Sequence, residues 1–196
     1  MPRAALKDEE IAAFRRKAVR VATRLFAKQG YAAVTLRAIA EGLGVSAMAP
    51  YRYFENKAEI FALVRADAFR RFADGQERAF AGARAPMERL FAMRDEYVRF
   101  ALEHPDAYRV MFDLDQEPEA DYPELAAENH RSFDALKEAA RLAIADGVLA
   151  GEPSIVAHQL WATLHGLISL HLAGKLTMGC TLEELLAAPP LRFGFE

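Results

Sequence analysis

Ala40, Gly44 and Ser46 stand at a spacing that can do chemistry within Thr35-Leu36-Arg37-Ala38-Ile39-Ala40-Glu41-Gly42-Leu43-Gly44-Val45-Ser46. A helix-turn-helix packs two short helices at a steep angle around a tight turn. The close approach needs a small residue on the first helix, which is Ala40. Four positions later the turn needs a residue that tolerates positive φ, which is Gly44. Ser46 is then the expected cap of the second helix. An ordinary helix-loop-helix corner would fit the same spacing. Charge adds a separate observation. Residues 1–57 hold 11 Lys and Arg against 5 Asp and Glu, and the rest holds 14 against 23. A basic first segment, on a chain of net charge -3, is an electrostatic footprint for phosphates. The acidic remainder would repel DNA and confine such binding to the N-terminal part. Solvated charges clustered by chance would give the same asymmetry.

Other chemistries lack their residues. No nucleophile elbow, phosphate loop, carboxylate–histidine pair or cofactor fingerprint occurs, so neither catalysis nor a cofactor is expected. His158 and His165 share a helix face but lie two turns apart. With no Glu-x-x-His, His-x-x-x-His or Cys-x-x-Cys spacing, no metal site is expected. Cys180 has no second cysteine to pair with, which points to a cytoplasmic chain. Met1 to Glu10 mixes charges with a short apolar start and does not read as a signal peptide. Ile155–Gly174 approaches membrane-span length, but His158, Gln159, His165 and His171 would be costly in lipid. It reads as a buried helix, with no membrane partner.

The second chemical theme is rings and thioethers. Phe69, Phe72, Phe91, Met93, Tyr97, Phe100, Tyr108, Met111, Phe112, Phe133 and Trp161 all follow the basic segment. Such side chains can line an apolar pocket with a few polar handles. They can equally form a plain helical core. Arg94 lies in an otherwise apolar stripe, where it could pair with an anionic ligand or with an acidic neighbour. Trp161 and His165 lie one turn apart, beside Gly166, which would let a helix approach closely. A hydrogen-bonded buried histidine and a ligand contact are both open for His165.

The elements that must position these residues are helices nearly everywhere. Ile11, Phe14, Ala18, Ala22 and Leu25 recur at helical spacing, and Gly30 can stop that helix. Thr35 is a cap candidate for a short helix holding Ile39 and Ala40. Gly42 and Gly44 are read as breaks. Asn56 can cap a long helix carrying Phe61, Val64, Ala68 and Phe72, which Gly75 weakens without ending. Gly82 to Pro86 is a break. A helix from Met87 stops at His104-Pro105, and a short one follows around Tyr108 to Phe112. Asp113 to Pro123 reads as an acidic loop. Further helices hold Leu125 to Ile144, Pro153 to about Gly174, and Thr181 to Ala188. No strand pattern is present, so the fold class is all-α.

At this point several anchors fall into register with a known family. Arg24-Leu25-Phe26-Ala27-Lys28-Gln29-Gly30-Tyr31 resembles the first-helix ending of the TetR family, an aliphatic–Phe pair followed by Gly-Tyr. Thr35 and Ile39-Ala40 resemble its second helix. Gly44-Val45-Ser46, Tyr51-Arg52-Tyr53-Phe54 and Asn56-Lys57 resemble its turn, recognition helix and next helix start. The match covers about residues 11 to 65. Trp161-Ala162-Thr163-Leu164-His165-Gly166 also resembles a subgroup named for its Trp, His and Gly.

The resemblance implies a helix-turn-helix DNA-binding domain at 1–57 and a helical ligand-binding and dimerisation domain at 58–196. It implies a transcriptional regulator, usually a repressor, whose partners are a double-stranded DNA operator, a small-molecule effector and a second copy. It places Thr35 and Lys57 on phosphates, and Tyr51 and Tyr53 on backbone, sugars or thymine methyls. Ser46, Ala47 and Met48 would face base edges, with Arg37 on a phosphate or base. Phe54 is expected in the core. The expected ligand-lining residues are Phe72, Phe91, Arg94, Tyr97, Tyr108, Met111, Phe133, Trp161 and His165.

This chain departs from the family at two positions. Met48 replaces a usual glycine, and Pro50 replaces an aliphatic residue. Proline lacks an N–H and disfavours helix at Ala49. A shortened or rewound recognition helix is therefore expected, with Pro50 in its first turn and residues 46–49 as a turn. The last long helix is apolar almost all round, from Ile155 through Leu172. A partner subunit could bury what its own fold leaves bare, so an isologous homodimer through 123–146 and 153–174 is expected.

Overall fold

The computed structural model describes residues 8–112 and 121–188. Most of the loop expected at Asp113–Pro123, and the start of the chain, lie outside those residues. The described chain forms eight α-helices and one 3-10 turn. They are α1 (Asp8–Ala33), α2 (Leu36–Leu43), the 3-10 turn (Pro50–Arg52), α3 (Lys57–Gly82), α4 (Pro86–Glu103), α5 (Pro105–Met111), α6 (Pro123–Ala145), α7 (Pro153–Leu172) and α8 (Leu182–Ala187). No strand occurs among the described residues. No described helix is long and apolar enough to cross a membrane.

The caps explain why helices start where they do. The Thr35 hydroxyl accepts from the Ala38 N–H at 3.1 Å and opens α2. Asn56 Oδ1 accepts from the Glu59 N–H at 2.8 Å and opens α3. Pro86, Pro105, Pro123 and Pro153 each stand in a first helical turn, where a missing N–H costs nothing. Gly30 does interrupt α1, with φ 77° and ψ 164°, before one last turn to Ala33. Gly44 ends α2 in the left-handed region at φ 70°. A side chain with a Cβ rarely adopts that conformation.

One glycine expectation is corrected. Gly42 does not break the chain; it lies inside α2. A Cβ there would meet Val21 Cγ1 at 2.6 Å, so Gly42 lets α2 lie close against α1. At Gly166 nothing among the described residues outside its own helix lies within 4 Å of a would-be Cβ, so no described helix of this chain makes the approach expected there.

A large core joins α1, α2 and α3 to α4 and α5, and a smaller one around Ala140, Val156 and Ala157 lies between α6 and α7. Ala18, Ala22 and Phe26 of α1 pack with Ile39 and Leu43 of α2 and with Ile60, Phe61 and Val64 of α3. The same cluster continues through Phe69, Phe72, Tyr97, Phe100, Tyr108 and Met111. α3 is the shared beam. Its first turns hold the N-terminal helices, and its later turns pack on α4, α5 and α6. A Cβ at Gly75 would meet only the Glu96 carboxylate of α4, the far end of a flexible side chain.

Candidate functional site

The segment after Gly44 is not a regular helix. The Ala49 N–H bonds to the Ser46 carbonyl at 2.9 Å, closing residues 46–49 as a turn. Pro50 then starts a single 3-10 turn, bonded from the Tyr53 N–H to the Pro50 carbonyl at 2.9 Å. The expected rewinding at Pro50 is therefore observed. The expected cap is not. Ala49 occupies the N-cap position, and no side chain caps the 3-10 turn. Ser46 contributes its carbonyl to the preceding turn instead.

The turn is pinned from beneath. Phe54 and Pro50 are buried, as expected for Phe54. The Tyr53 ring stacks on Phe14 with centroids 4.0 Å apart. Arg15 of α1 donates to the Tyr53 carbonyl at 2.7 Å and to the Glu59 carboxylate at 2.6 Å. Glu59 also accepts from the Glu55 N–H at 2.7 Å. One arginine thus ties α1, the turn and the start of α3 together. Sequence reasoning missed it, since its two partners are 38 and 44 positions away.

What remains outside is chemically varied. Met48 is 68% exposed and Tyr51 54%. Ala47, Thr35 and Arg37 are exposed, and Ser46 is too. Lys57 has an internal role. Its ammonium donates to the Tyr31 carbonyl at 2.8 Å and lies 4.2 Å from the Tyr31 ring centroid. It satisfies an α1 carbonyl just past the Gly30 break. Tyr53 is likewise half-buried in packing rather than free. Arg16, Arg20, Arg24 and Lys28 add exposed cations one turn apart along α1, a spacing sequence reasoning left unused.

Cavities open within the helical body and where it meets α1. One of about 240 Å³ lies among α3, α4, α6 and α7, lined by Phe69, Phe72, Gln76, Tyr97, Phe112, Asn129, His130, Ser132, Phe133, Leu136, His158 and Trp161. Of the residues expected to line a pocket, Phe72, Tyr97, Phe133 and Trp161 do so together. Gln76 is a polar handle that sequence reasoning missed. It is buried and donates to the Met93 carbonyl at 3.2 Å. The His158 ring faces Phe133 with centroids 4.5 Å apart.

A second cavity of about 370 Å³ lies between the end of α1, α5 and α7. Tyr108 and His165 stand here with Ser169, Arg109, Phe26 and Gly30. Phe112 lines both cavities. Between them run the hydrogen bonds Tyr97 Oη–Tyr108 Oη at 2.9 Å, Tyr108 Oη–His165 Nδ1 at 2.7 Å and His165 Nε2–Ser169 Oγ at 3.3 Å, with a longer direct contact from Tyr97 Oη to His165 Nδ1 at 3.4 Å. Burial pushes the Tyr97 hydroxyl far up and the Tyr108 hydroxyl up to about 12. It pushes the His165 imidazole down. All three groups are therefore held neutral at ordinary pH.

Three expected lining residues stand elsewhere. Phe91 is 49% exposed and stacks under the Arg94 guanidinium, 5.0 Å away. Arg94 pairs with Asp95 at 2.7 Å and donates to the Leu186 carbonyl at 3.3 Å. The acidic-neighbour alternative holds for it, and it bridges α4 to α8. Met111 is buried in the continuous core. Their helical stripe was legible, but neighbouring stripes turn different ways once α8 and α5 dock.

α7 presents a face that the described residues leave open. Ile155 is 59% exposed and Leu170 44%. Gln159, Ala162 and Thr163 between them are exposed, and Gly166 has open space above it. Only Val156, Ala157 and Ile168 of this helix are buried.

Comparison with known proteins gives two family matches. Residues 18–64 match the family described as bacterial regulatory proteins, tetR family. Residues 90–188 match the family described as tetracyclin repressor-like, C-terminal domain. No curated protein matches. A protein of unknown function from Rhodococcus sp. RHA1 shares the fold at a TM-score of 0.75 and 26% identity, covering 95% of this chain and 93% of that one. A transcriptional regulator of the TetR/AcrR family from Thermobifida fusca gives 0.62 and 24%, covering 89% and 92%. The TetR family transcriptional regulator PfmR from Thermus thermophilus gives 0.70 and 22%, covering 86% and 92%. With a basic, glycine-hinged turn at one end, a cavity-bearing helical body at the other, and family matches over both, this chain belongs to the TetR family of transcriptional regulators.

Proposed function

We propose that this chain is a ligand-responsive DNA-binding regulator: a repressor that binds a palindromic operator as a homodimer and is released by a small, largely apolar effector. The reading rests on one observation above others. The turn at 46–52 keeps Met48 and Tyr51 outside while Arg15, Phe14 and Phe54 hold its underside. A buried underside and a bare outer face suit an element that enters a major groove. Ser46, Ala47 and Met48 would meet base edges, and Tyr51 a sugar or a thymine methyl. Thr35, at the start of α2, and Arg37 would hold phosphates. Lys57 and Tyr53 would act on DNA by fixing the turn as much as by touching it. Few of these side chains make bidentate base contacts, so sequence-dependent DNA shape would carry part of the specificity.

The proposed division at 57/58 falls in the first turn of α3. The head and the body would therefore share one rigid helix rather than a linker. The effector would occupy the 240 Å³ cavity, against Phe72, Tyr97, Phe133 and Trp161. The open face of α7, with α6 beside it, would join two copies and set the spacing of the two heads. Release needs only an effector that prefers the wrong head spacing, by a coupling of about 1–3 kcal/mol.

Selection of bound fragments from genomic DNA tests this reading. Enrichment of inverted repeats with half-site centres about 34–36 Å apart, or a multiple of that, is the expected result. Enrichment of no sequence, with binding that ignores salt, would reassign the basic segment to protein contact.

A further inference from the structure

The hydrogen-bonded chain between the two cavities has an unusual property: every link can run in either direction. A hydroxyl donates one hydrogen and accepts, and a neutral imidazole donates from one nitrogen and accepts at the other. We propose that Tyr97, Tyr108, His165 and Ser169 form a relay that reads whether an uncharged ring effector offers a hydrogen-bond donor or an acceptor at Tyr97, and reports it at the Gly30 break. The inference rests on the 240 Å³ cavity being the effector site.

The two orders follow from counting hydrogens. If the effector donates, the Tyr97 oxygen accepts and the Tyr97 O–H donates to Tyr108 across 2.9 Å. The Tyr108 O–H then donates to His165 Nδ1 across 2.7 Å. The imidazole proton sits on Nε2 and is donated to Ser169 Oγ across 3.3 Å. If the effector accepts, every link reverses. The Tyr97 O–H turns to the effector, the Tyr108 O–H turns to Tyr97, and His165 Nδ1–H turns to Tyr108. Nε2 is then bare and accepts from the Ser169 hydroxyl. No charge forms in either order.

The ends of the relay lie in different places. Tyr97 lines the effector cavity with Trp161, Phe72 and Phe133. Ser169 lines the junction cavity with Phe26, Ala27 and Gly30 of α1. The polar surface beside the α1 break thus changes from hydroxyl donor to hydroxyl acceptor according to an atom bound on the far side of Tyr108. The rings around Tyr97 favour flat molecules, because Phe69, Phe72, Phe112, Phe133 and Trp161 line that cavity with it.

Three two-ring probes separate the possibilities: indole, whose N–H donates; quinoline, whose nitrogen accepts; and naphthalene, which does neither. Calorimetric titration reports binding, because all three probes absorb and emit in the ultraviolet range of Trp161. The ring nitrogens of His165, read by nitrogen-15 NMR at neutral pH and saturating probe, report the order of the relay. Expected are binding of all three probes, the proton on Nε2 with indole, and the proton on Nδ1 with quinoline. Tyr97 Oη also stands 3.4 Å from His165 Nδ1, so removal of Tyr108 alone would leave a second route. Tyr97→Phe removes the hydroxyl from which both routes start and should erase the difference between indole and quinoline at His165. Binding with the same protonated nitrogen for indole and quinoline would overturn the relay and leave the effector site standing. So would a difference that survives Tyr97→Phe. No binding of any probe would overturn the effector site itself, and the relay with it.

Discussion

The two ends of this molecule use the same helices for opposite purposes. In the head, side chains fill the interior and polar groups clamp the backbone. Phe26, Tyr31 and Phe61 meet ring to ring at 4.8–6.0 Å, and Arg15 and Lys57 tie down carbonyls. In the body, rings of similar size stand around open volume. Phe72, Phe133 and Trp161 line a cavity rather than closing it. The difference teaches how a small all-helical chain can be rigid where it must present a surface and yielding where it must admit a guest. Close packing opposes change, and a cavity forgoes dispersion contacts in exchange for room.

Removal of one ring from each end puts the comparison to its hardest test. Phe61→Ala should cost about 3–5 kcal/mol in denaturant unfolding, the loss expected for a buried ring in a filled core. Phe133→Ala should cost about 1–2 kcal/mol, because the site is already part void. Equal losses would mean that the body is packed as tightly as the head.

A smaller effect follows from the two glycines that face opposite environments. Gly42→Val should destabilise by about 1–3 kcal/mol, since Val21 Cγ1 stands 2.6 Å from the new Cβ. A Cβ at Gly166 meets nothing among the described residues outside its own helix, so Gly166→Leu should leave the monomer's stability intact while weakening self-association. Sedimentation of Gly166→Leu as the parent dimer would remove α7 from the proposed interface.

The smallest effect concerns the outer surface of the body. Arg131 of α6 bonds Asp74 and Glu77 of α3, each at 2.6 Å. The Arg131 guanidinium, by its hydrogen bond, holds the Glu77 carboxyl below its ordinary value. A carboxyl with a lowered folded-state value adds stability above its unfolded value. That stability disappears as pH falls through the folded value. All three groups are substantially exposed, so Arg131→Ala should cost no more than about 1 kcal/mol at neutral pH and nothing in strong acid. A loss that persists in acid would point to packing by the arginine stem instead.

The sequence made the helices legible because caps and periodicity act locally. Thr35, Asn56, Pro86 and Pro153 each announced a start, whereas Pro105 and Pro123, read as a stop and as loop, also open helices. The effect of Pro50 was also readable, because a missing N–H and a fixed φ act on immediate neighbours. Features that depend on distant partners were not. Nothing near Lys57 in sequence indicates that the Tyr31 carbonyl oxygen will take its ammonium. Nothing near Ser46 shows that the turn will move the cap position to Ala49. Phe91 and Arg94 shared a stripe with Tyr97, but only Tyr97 faces the cavity once α4 settles against α3. Gln76 and His158 were passed over because a polar residue in a helix usually marks the solvent side.

The most direct test of the account compares the parent protein with an Arg37→Ala, Tyr51→Ala pair on a DNA fragment selected by the parent. Both side chains are exposed, so thermal unfolding should be unchanged while specific affinity, measured by anisotropy at fixed salt, falls at least tenfold. Unchanged affinity in a variant that unfolds like the parent would contradict the claim that the 46–52 turn and α2 form the DNA-reading face.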